Sequence, residues 1–397
     1  EGRMMSESTT WGDRVRGEVR MRWRDWAITL AAFVLALLVG AILMIVADPQ
    51  VAGNFNYLLT APGLALGSAW TKVSTAYSAL LMGAVGSPQA LAATSAAAAP
   101  LICAGLAVGL AFRAGLFNIG AQGQAILGSM AAAWVGFSLP LPPGLHLTVA
   151  VLAGLVAGAL WGGIVGWLKA STGAHEVIVT IMMNYIAGGI LAWALTTVAF
   201  QRPGRDDPIS PEVPSSAAFP QLYGLLHAGF IVALLVAVVV WWILDRSVIG
   251  FSIRAVGANP HAAGTAGMNV GRTTIITMAI AGALAGLAGV QAALGPSVNG
   301  VPVPLTEGLV GTVGFDAITV ALLGRSKPVG IVLAGLLFGG LSAGGLAMQS
   351  VAQTPLTLTL VLQALVVLFV AAPQLVATLV PFLTARRARA SLTGADA

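Results

Sequence analysis

Residues 147–168 read LTVAVLAGLVAGALWGGIVGWL, an apolar run that contains no charged side chain. A helix needs about 20 such residues to cross the hydrocarbon core of a membrane. Within the run, Gly154, Gly158, Gly162 and Gly166 recur every four residues and therefore fall on one helical stripe. Small residues on one stripe let two helix backbones approach closely. The stretch predicts a membrane-spanning helix that packs tightly inside a bundle.

The composition extends this prediction to the whole chain. Of the 397 residues, 57% are hydrophobic and 8% are charged, whereas soluble domains carry about 25% charged residues. We predict an all-α fold, a polytopic integral membrane helical bundle of about ten transmembrane segments. The candidates are 26–46, 89–112, 115–137, 147–168, 177–199, 224–244, 274–294, 307–323, 328–347 and 357–380. Two of them, 115–137 and 307–323, are rich in Gly, Asn and Gln, and either could be broken or re-entrant.

The charges predict the domain organisation and the orientation. Residues 1–25 form a polar lead-in, 26–383 the transmembrane domain and 384–397 a tail. Arg and Lys concentrate in both termini and in alternate loops, of which 245–273 is the longest. Because positive charge accumulates on the cytoplasmic side of a membrane protein, we expect both termini in the cytoplasm.

Several kinds of chemistry are excluded by the residues present. None of the four histidines has a Cys, His or carboxylate at metal-ligand spacing. The three lysines, Lys72, Lys169 and Lys327, each lack the preceding glycine of a phosphate-binding loop. We therefore predict that the chain is not an enzyme and holds no cofactor, and that ATP and Mg²⁺ would bind another subunit. The basic residues are dispersed, so no nucleic-acid partner is expected.

Polar residues inside apolar segments are the candidates for a solute path. Asn118, Gln122 and Gln124 lie within seven residues of each other, and unsatisfied amides in hydrocarbon are costly. They either bond to a neighbouring broken helix or line a path for a neutral, hydroxyl-rich solute. Asn184 favours a helix–helix hydrogen bond and is kept as a path candidate. Asp316 either caps a half-helix that begins at Ala317 or belongs to the path.

The loop 245–273 contains a candidate docking element. Pro260 suits the first turn of a short helix, with Asn259 as its N-cap. We expect a small-residue face for close docking against a partner, where the alternative is a plain surface helix. That face comprises Ala262, Ala263, Ala266 and Gly267.

Four separated motifs, 112–124, 176–185, 254–270 and 314–330, resemble the permeases of bacterial ABC importers that serve simple sugars, branched-chain amino acids and nucleosides. The combination looks closest to the nucleoside branch. The resemblance implies a multi-pass subunit of the bacterial plasma membrane that forms a dimer, often with a second permease. It also implies a cytoplasmic ABC ATPase, an extracytoplasmic substrate-binding lipoprotein and a small-molecule substrate.

The resemblance also assigns the docking element. Residues 259–267 would be the coupling helix that binds the ATPase. The residues assigned to this contact are Arg254, Asn259, Pro260, His261, Ala262, Ala263 and Gly267. Many relatives have Glu where His261 stands, so the resemblance implies no salt bridge to the ATPase at that position. The leading hypothesis is ATP-driven import of nucleosides. The alternatives are import of simple sugars by the same mechanism, a stand-alone secondary carrier that uses Asp316, and a membrane scaffold without transport activity.

Overall fold

The computed structural model describes residues 30–372, 375, 376 and 378. Helices dominate this part of the chain, and one antiparallel hairpin joins β1 (Gln221–Tyr223) to β2 (Leu226–His227). The helices are α1 (Leu30–Ala47), α2 (Pro49–Asn54), α3 (Pro62–Val85), α4 (Pro88–Arg113), α5 (Ala121–Ser138), α6 (Leu145–Thr172), α7 (Glu176–Leu195), α8 (Ala228–Arg246), α9 (Val248–Ala258), α10 (Pro260–Thr265), α11 (Val270–Leu294), α12 (Val313–Leu323), α13 (Pro328–Ala352) and α14 (Leu356–Ala371), with a 3₁₀ turn at Phe55–Tyr57. The all-α prediction is confirmed.

The predicted number of ten membrane crossings is an approximate count. Among the described residues, seven helices are long and apolar enough to cross a membrane: α1, α4, α6, α7, α8, α11 and α13. The other three predicted segments correspond to α5, α12 and α14, which have 18, 11 and 16 residues. At about 1.5 Å per residue, α12 reaches only part of the way across.

Neither of the two segments rich in Gly, Asn and Gln is helical over its whole predicted range. The segment predicted at 115–137 is a turn up to residue 120, followed by α5, and the one at 307–323 becomes helical at Val313.

Some predicted boundaries are wrong. The segment 224–244 begins later, at Ala228, because the hairpin occupies 221–227, and 177–199 ends at Leu195. Several other predicted boundaries differ from the observed ones by four or five residues: α6 ends at Thr172, α11 begins at Val270 and α13 ends at Ala352.

The described chain divides into two compact units, 76–353 and the residues on either side of it. In the unit formed by the residues before 76 and after 353, Ala32 and Ala36 of α1 pack with Val366 and Phe369 of α14. Asp48 caps α2 by accepting hydrogen bonds from the backbone nitrogens of Gln50 and Val51, and its carboxylate also pairs with Lys72 at 2.7 Å. The lead-in 1–25 and the tail 384–397 lie outside the described residues.

The glycine stripe of α6 packs as its spacing predicts. A Cβ added to Gly158 would overlap the carbonyl oxygen of Gly282 in α11, and one added to Gly162 would overlap that of Met278. Gly128 of α5 meets Gly286 of α11 in the same way. The three helices α5, α6 and α11 therefore touch backbone to backbone.

Helix α4 lies at the centre of the unit 76–353. Most of its residues between Ala98 and Ala111 are fully buried. Glycines let its neighbours come close, because a Cβ on Gly335 of α13 would press on Ile102. A Cβ on Gly105 of α4 itself would press on Val320 of α12. One side of the short helix α12 is thus fixed against α4.

Candidate functional site

The start of α12 is held by the side chain of Gln122, in the first turn of α5. Its amide nitrogen Nε2 donates to the carbonyl oxygen of Gly311 at 2.6 Å, and its Oε1 accepts from the backbone nitrogen of Gly314 at 2.8 Å. A side chain at residue 314 would overlap the backbone of Gln122. One amide therefore satisfies the backbone of a helix that begins inside the apolar bundle.

Asn118 and Gln124 satisfy each other. The Nδ2 of Asn118 donates to Oε1 of Gln124 at 2.9 Å, and Nε2 of Gln124 donates to Oδ1 of Asn118 at 3.1 Å. Both side chains are completely buried. The pair closes the α4–α5 turn, residues 114–120, onto the start of α5. In this conformation neither amide is accessible to a solute.

Asn184 ties α7 to the same turn. Its Oδ1 accepts a hydrogen bond from the backbone nitrogen of Gly123 at 2.8 Å, and its Nδ2 donates to the carbonyl oxygen of Ile119 at 3.0 Å. The helix–helix hydrogen bond favoured for this residue is confirmed. The four amides predicted for the path thus form a buried polar frame around the starts of α5 and α12.

Asp316 does not cap a helix that starts at Ala317, because α12 begins three residues before Asp316. Its carboxylate accepts a hydrogen bond from the Thr312 hydroxyl at 2.9 Å. The residues of α12 that pack inward are Gly314, Ala317, Val320 and Ala321. Asp316 lies off that buried side and is half-buried, and the adjacent Phe315 is 49% exposed.

The short helix predicted in the long loop is present as α10. The Oδ1 of Asn259 accepts from the backbone nitrogens of His261 and Ala262, each at 3.0 Å, and Pro260 occupies the first helical position. We call residues 259–267 the docking segment. Its surface differs from the expectation in one respect, since Ala263 is buried while Ala262, Ala266, Gly267 and His261 are exposed. Successive residues on a helix are 100° apart, so Ala263 can pack inward while Ala262 remains exposed.

Arg254 lies on α9, the helix that precedes the docking segment. Its Nη1 is 4.0 Å from the Asp245 carboxylate at the end of α8. The two helices meet closely, because a Cβ on Gly250 would overlap the carbonyl oxygen of Ile243. Arg254 and Asp245 are both partly exposed, so their pairing contributes about 1 kcal/mol or less.

Two contacts in this region were not foreseen from the sequence. The C-terminal end of α9 rests on the end of α4, where a Cβ on Gly257 would overlap the carbonyl oxygen of Arg113. The Nε of Arg113 donates to the carbonyl oxygen of Ser326, in the turn between α12 and α13, at 3.1 Å. Gly257 was the available signal for the first contact, because glycine is unfavourable inside a helix and its presence there can indicate a close approach of another backbone.

No group of three or more His, Cys, Asp or Glu side chains suited to a metal occurs among the residues that the structure describes. The notable features are the starts of α5 and α12 within the bundle, the buried amides that bond to them, and the exposed helix α10. Together they describe a multi-pass membrane protein with a broken-helix centre.

Comparison with known proteins identifies the family. Residues 90–371 match the family described as branched-chain amino acid transport system / permease component, and the chain belongs to that family. It is 39% identical over 347 residues to the guanosine ABC transporter permease protein NupP of Bacillus subtilis, covering 87% of this chain and 92% of the relative. The resemblance noted from the sequence motifs is confirmed.

Two further relatives are named for different substrates. The chain is 33% identical over 284 residues to the glucose ABC transporter permease protein TsgB13 of Haloferax volcanii, covering 68% of this chain and 73% of the relative. It is 34% identical over 325 residues to the nucleoside ABC transporter permease protein NupB of Lactococcus lactis, covering 79% and 82%. No solved structure matches the chain.

Proposed function

We propose that this chain is the transmembrane permease subunit of an ATP-driven nucleoside importer in a bacterial plasma membrane. The observation that carries the proposal is the similarity to a guanosine permease at 39% identity over 87% of the chain. The similarity to a nucleoside permease at 34% identity supports the same substrate class. The chain would form the path and leave ATP hydrolysis to a separate ATPase that binds ATP and Mg²⁺.

The docking segment is the proposed contact with that ATPase. All of it except Ala263 is exposed, its residues 260–265 form a separate short helix, and the Asn259 side chain stabilises the start of that helix. A partner can therefore bind a formed helix without first ordering a loop, which lowers the entropic cost of binding. Arg and Lys in both termini and in the same set of loops support a cytoplasmic position for this segment and for both termini.

The proposed solute path runs along the side of α12 that carries Thr312, Phe315 and Asp316. Charged side chains within a membrane bundle face its interior or a water-filled cavity, because lipid cannot solvate them. A second permease subunit that covers this side would complete the path. A carboxylate and a hydroxyl beside an aromatic ring suit the hydroxyl groups and the flat base of a nucleoside. The amides of Asn118, Gln122, Gln124 and Asn184 would act as its frame.

Import of simple sugars by the same mechanism is the second candidate. It is favoured by the 33% identity to a glucose permease. The substrate would be selected first by the extracytoplasmic lipoprotein that delivers it. A ligand screen on the lipoprotein that copurifies with this chain would therefore separate the two substrates.

The test of the proposed function is purification of the chain in mild detergent, followed by reconstitution with its copurifying proteins. We expect an ABC ATPase, a second permease and a lipoprotein, and ATP-dependent uptake of guanosine or a related nucleoside into liposomes. If the chain purifies alone and moves solute without ATP, the stand-alone carrier that uses Asp316 replaces the importer.

A further inference from the structure

The end of α9 and the α4–α5 turn meet through two glycines. A Cβ on Gly257 would overlap the carbonyl oxygen of Arg113, and one on Gly115 would lie 3.4 Å from the carbonyl oxygen of Gly257. Gly115 has a φ of +71°, a conformation that favours glycine. Backbone therefore rests on backbone at this point, without side chains that could yield between them.

The side chain of Arg113 links this contact to the C-terminal end of α12. Its Nε donates to the carbonyl oxygen of Ser326 at 3.1 Å. Arg325 and Ser326 have φ values of 52° and 51°, which side-chain-bearing residues rarely adopt. The turn is closed tightly, with the Ser326 nitrogen donating to the carbonyl oxygen of Ala321 at 2.8 Å. Arg113 thus holds the C-terminal end of α12 through a turn that has little freedom of its own.

Gln122 holds the other end of the same helix through Gly311 and Gly314. Arg113 and Gln122 are only nine residues apart in sequence, and they grip α12 at its two ends. The chain between them is itself fixed by the amide pair of Asn118 and Gln124. If residues 113–122 move, α12 should therefore move with them.

We propose that Gly257 and Arg113 are positioning residues that transmit movement of the docking segment to α12. Asn259 alone separates α9 from α10, so a force on the docking segment acts directly on α9. The backbone contact at Gly257 passes it to Arg113, and the hydrogen bond to Ser326 passes it to α12. The proposal rests on the proposed function, in which an ATPase binds the docking segment and α12 borders the solute path.

The test compares Gly257→Ala with Gly271→Ala in the reconstituted complex. Gly271 lies in the first turn of α11, where an added Cβ meets Ala170 at an ordinary 3.5 Å. We expect Gly257→Ala to copurify with the ATPase at normal stoichiometry and to keep its basal ATP hydrolysis. Its stimulation by the loaded lipoprotein should fall about tenfold, within the usual range of coupling between two sites. Gly271→Ala should behave as the wild type.

Arg113 provides a second variant that adds no bulk. Arg113→Ala should also lower stimulation while the ATPase stays bound, and Arg113→Lys, which still offers a charged donor, should restore part of it. The double variant Gly257→Ala with Arg113→Ala should be no worse than either alone, because both break one route. A purely structural role would lower the melting temperature and the ATPase content together.

The outcomes separate the two proposals. If the wild-type chain recovers no ATPase, the proposed function fails and this inference falls with it. If the wild type is stimulated normally and both Gly257→Ala and Arg113→Ala are too, the inference is overturned while the proposed function stands.

Discussion

The backbone nitrogen of Gly314 donates to the side-chain oxygen of Gln122 across 192 residues of sequence, at 2.8 Å. The same amide donates to Gly311, so one side chain serves both backbone groups at the start of α12. In water these groups would be solvated, but a helix that starts inside an apolar bundle depends on the protein for its partners. Gln122 therefore stabilises the non-helical segment 306–312 and the start of α12 that follows it.

Replacing Gln122 by Leu should destabilise the unit 76–353 strongly. The change leaves the buried Gly314 nitrogen unpaired, which costs about 1–3 kcal/mol, and removes the partner of the oxygen of Gly311, which is an exposed residue. We expect a lower melting temperature in detergent and little transport. Gln89→Leu is the matched control, because Gln89 is exposed and its side chain donates to the hydroxyl of Tyr223 at 2.9 Å. Equal melting temperatures for the two variants would contradict the role given to Gln122.

The glycine stripe of α6 allows a comparison within one helix. Gly158→Ala places a methyl group on the backbone of Gly282 and should cost about 1–3 kcal/mol through overpacking. Gly163→Ala places one 3.8 Å from the Cβ of Ala279, an ordinary contact, and should be neutral or slightly stabilising because alanine favours helix. Thermal unfolding in detergent measures both. A Gly163→Ala variant as unstable as Gly158→Ala would show that helix position, not packing, sets the cost.

These two cases show what the sequence could and could not predict. The stripe at Gly154–Gly166 follows from helical periodicity, a local property, and the structure confirms it. Asn259 and Pro260 likewise act within one turn of α10. Gln122 and Gly314 lie on different helices, and their contact depends on tertiary packing that no local pattern encodes. The predicted start of α12 at residue 307 was wrong for a related reason, since the turns at 307–312 depend on tertiary contacts that the sequence pattern does not reveal.

Asp316 is expected to contribute an acceptor to the solute. Asp316→Ala should lower uptake about tenfold, because a hydrogen bond to a charged group is worth about 1.5–3 kcal/mol. Asp316→Asn keeps one acceptor oxygen of the same shape and should retain more of the uptake. Both variants should remain strictly dependent on ATP. Uptake measured over a range of solute concentrations tests this, and a variant that loses only ATP-independent uptake would instead indicate the stand-alone carrier.

We expect His227 to make the stability of the protein depend on pH. It lies in β2, and its Nδ1 accepts a hydrogen bond from the Gly229 nitrogen, which caps α8. Burial lowers the pKa of His227, so the fold favours the neutral ring. The unfolded chain binds the proton more readily, at a pKa of about 6.5. The stabilisation is therefore complete above that pH and is lost as the pH falls below it towards the lower pKa of the folded state.

The measurement is the melting temperature between pH 5 and pH 8, compared with His227→Asn. Asparagine is a good N-cap that does not titrate in this range. We expect the variant to show a flatter dependence on pH than the wild type. A variant with the same slope would assign the pH dependence to another group.

Asn259 should control how well the docking segment binds its ATPase. Its side chain accepts from His261 and Ala262, and removal of such a cap costs a helix about 1 kcal/mol. Because α10 has only six residues, this loss is enough to unfold it in a large share of the molecules. Asn259→Ala should then weaken ATPase binding about fivefold, since the partner must order the helix again on binding. Asn259→Asp keeps a capping oxygen and should bind as the wild type does. Titration of the purified ATPase onto the chain in nanodiscs measures the affinity, and equal affinity for Asn259→Ala would mean that the docking segment binds without its helix.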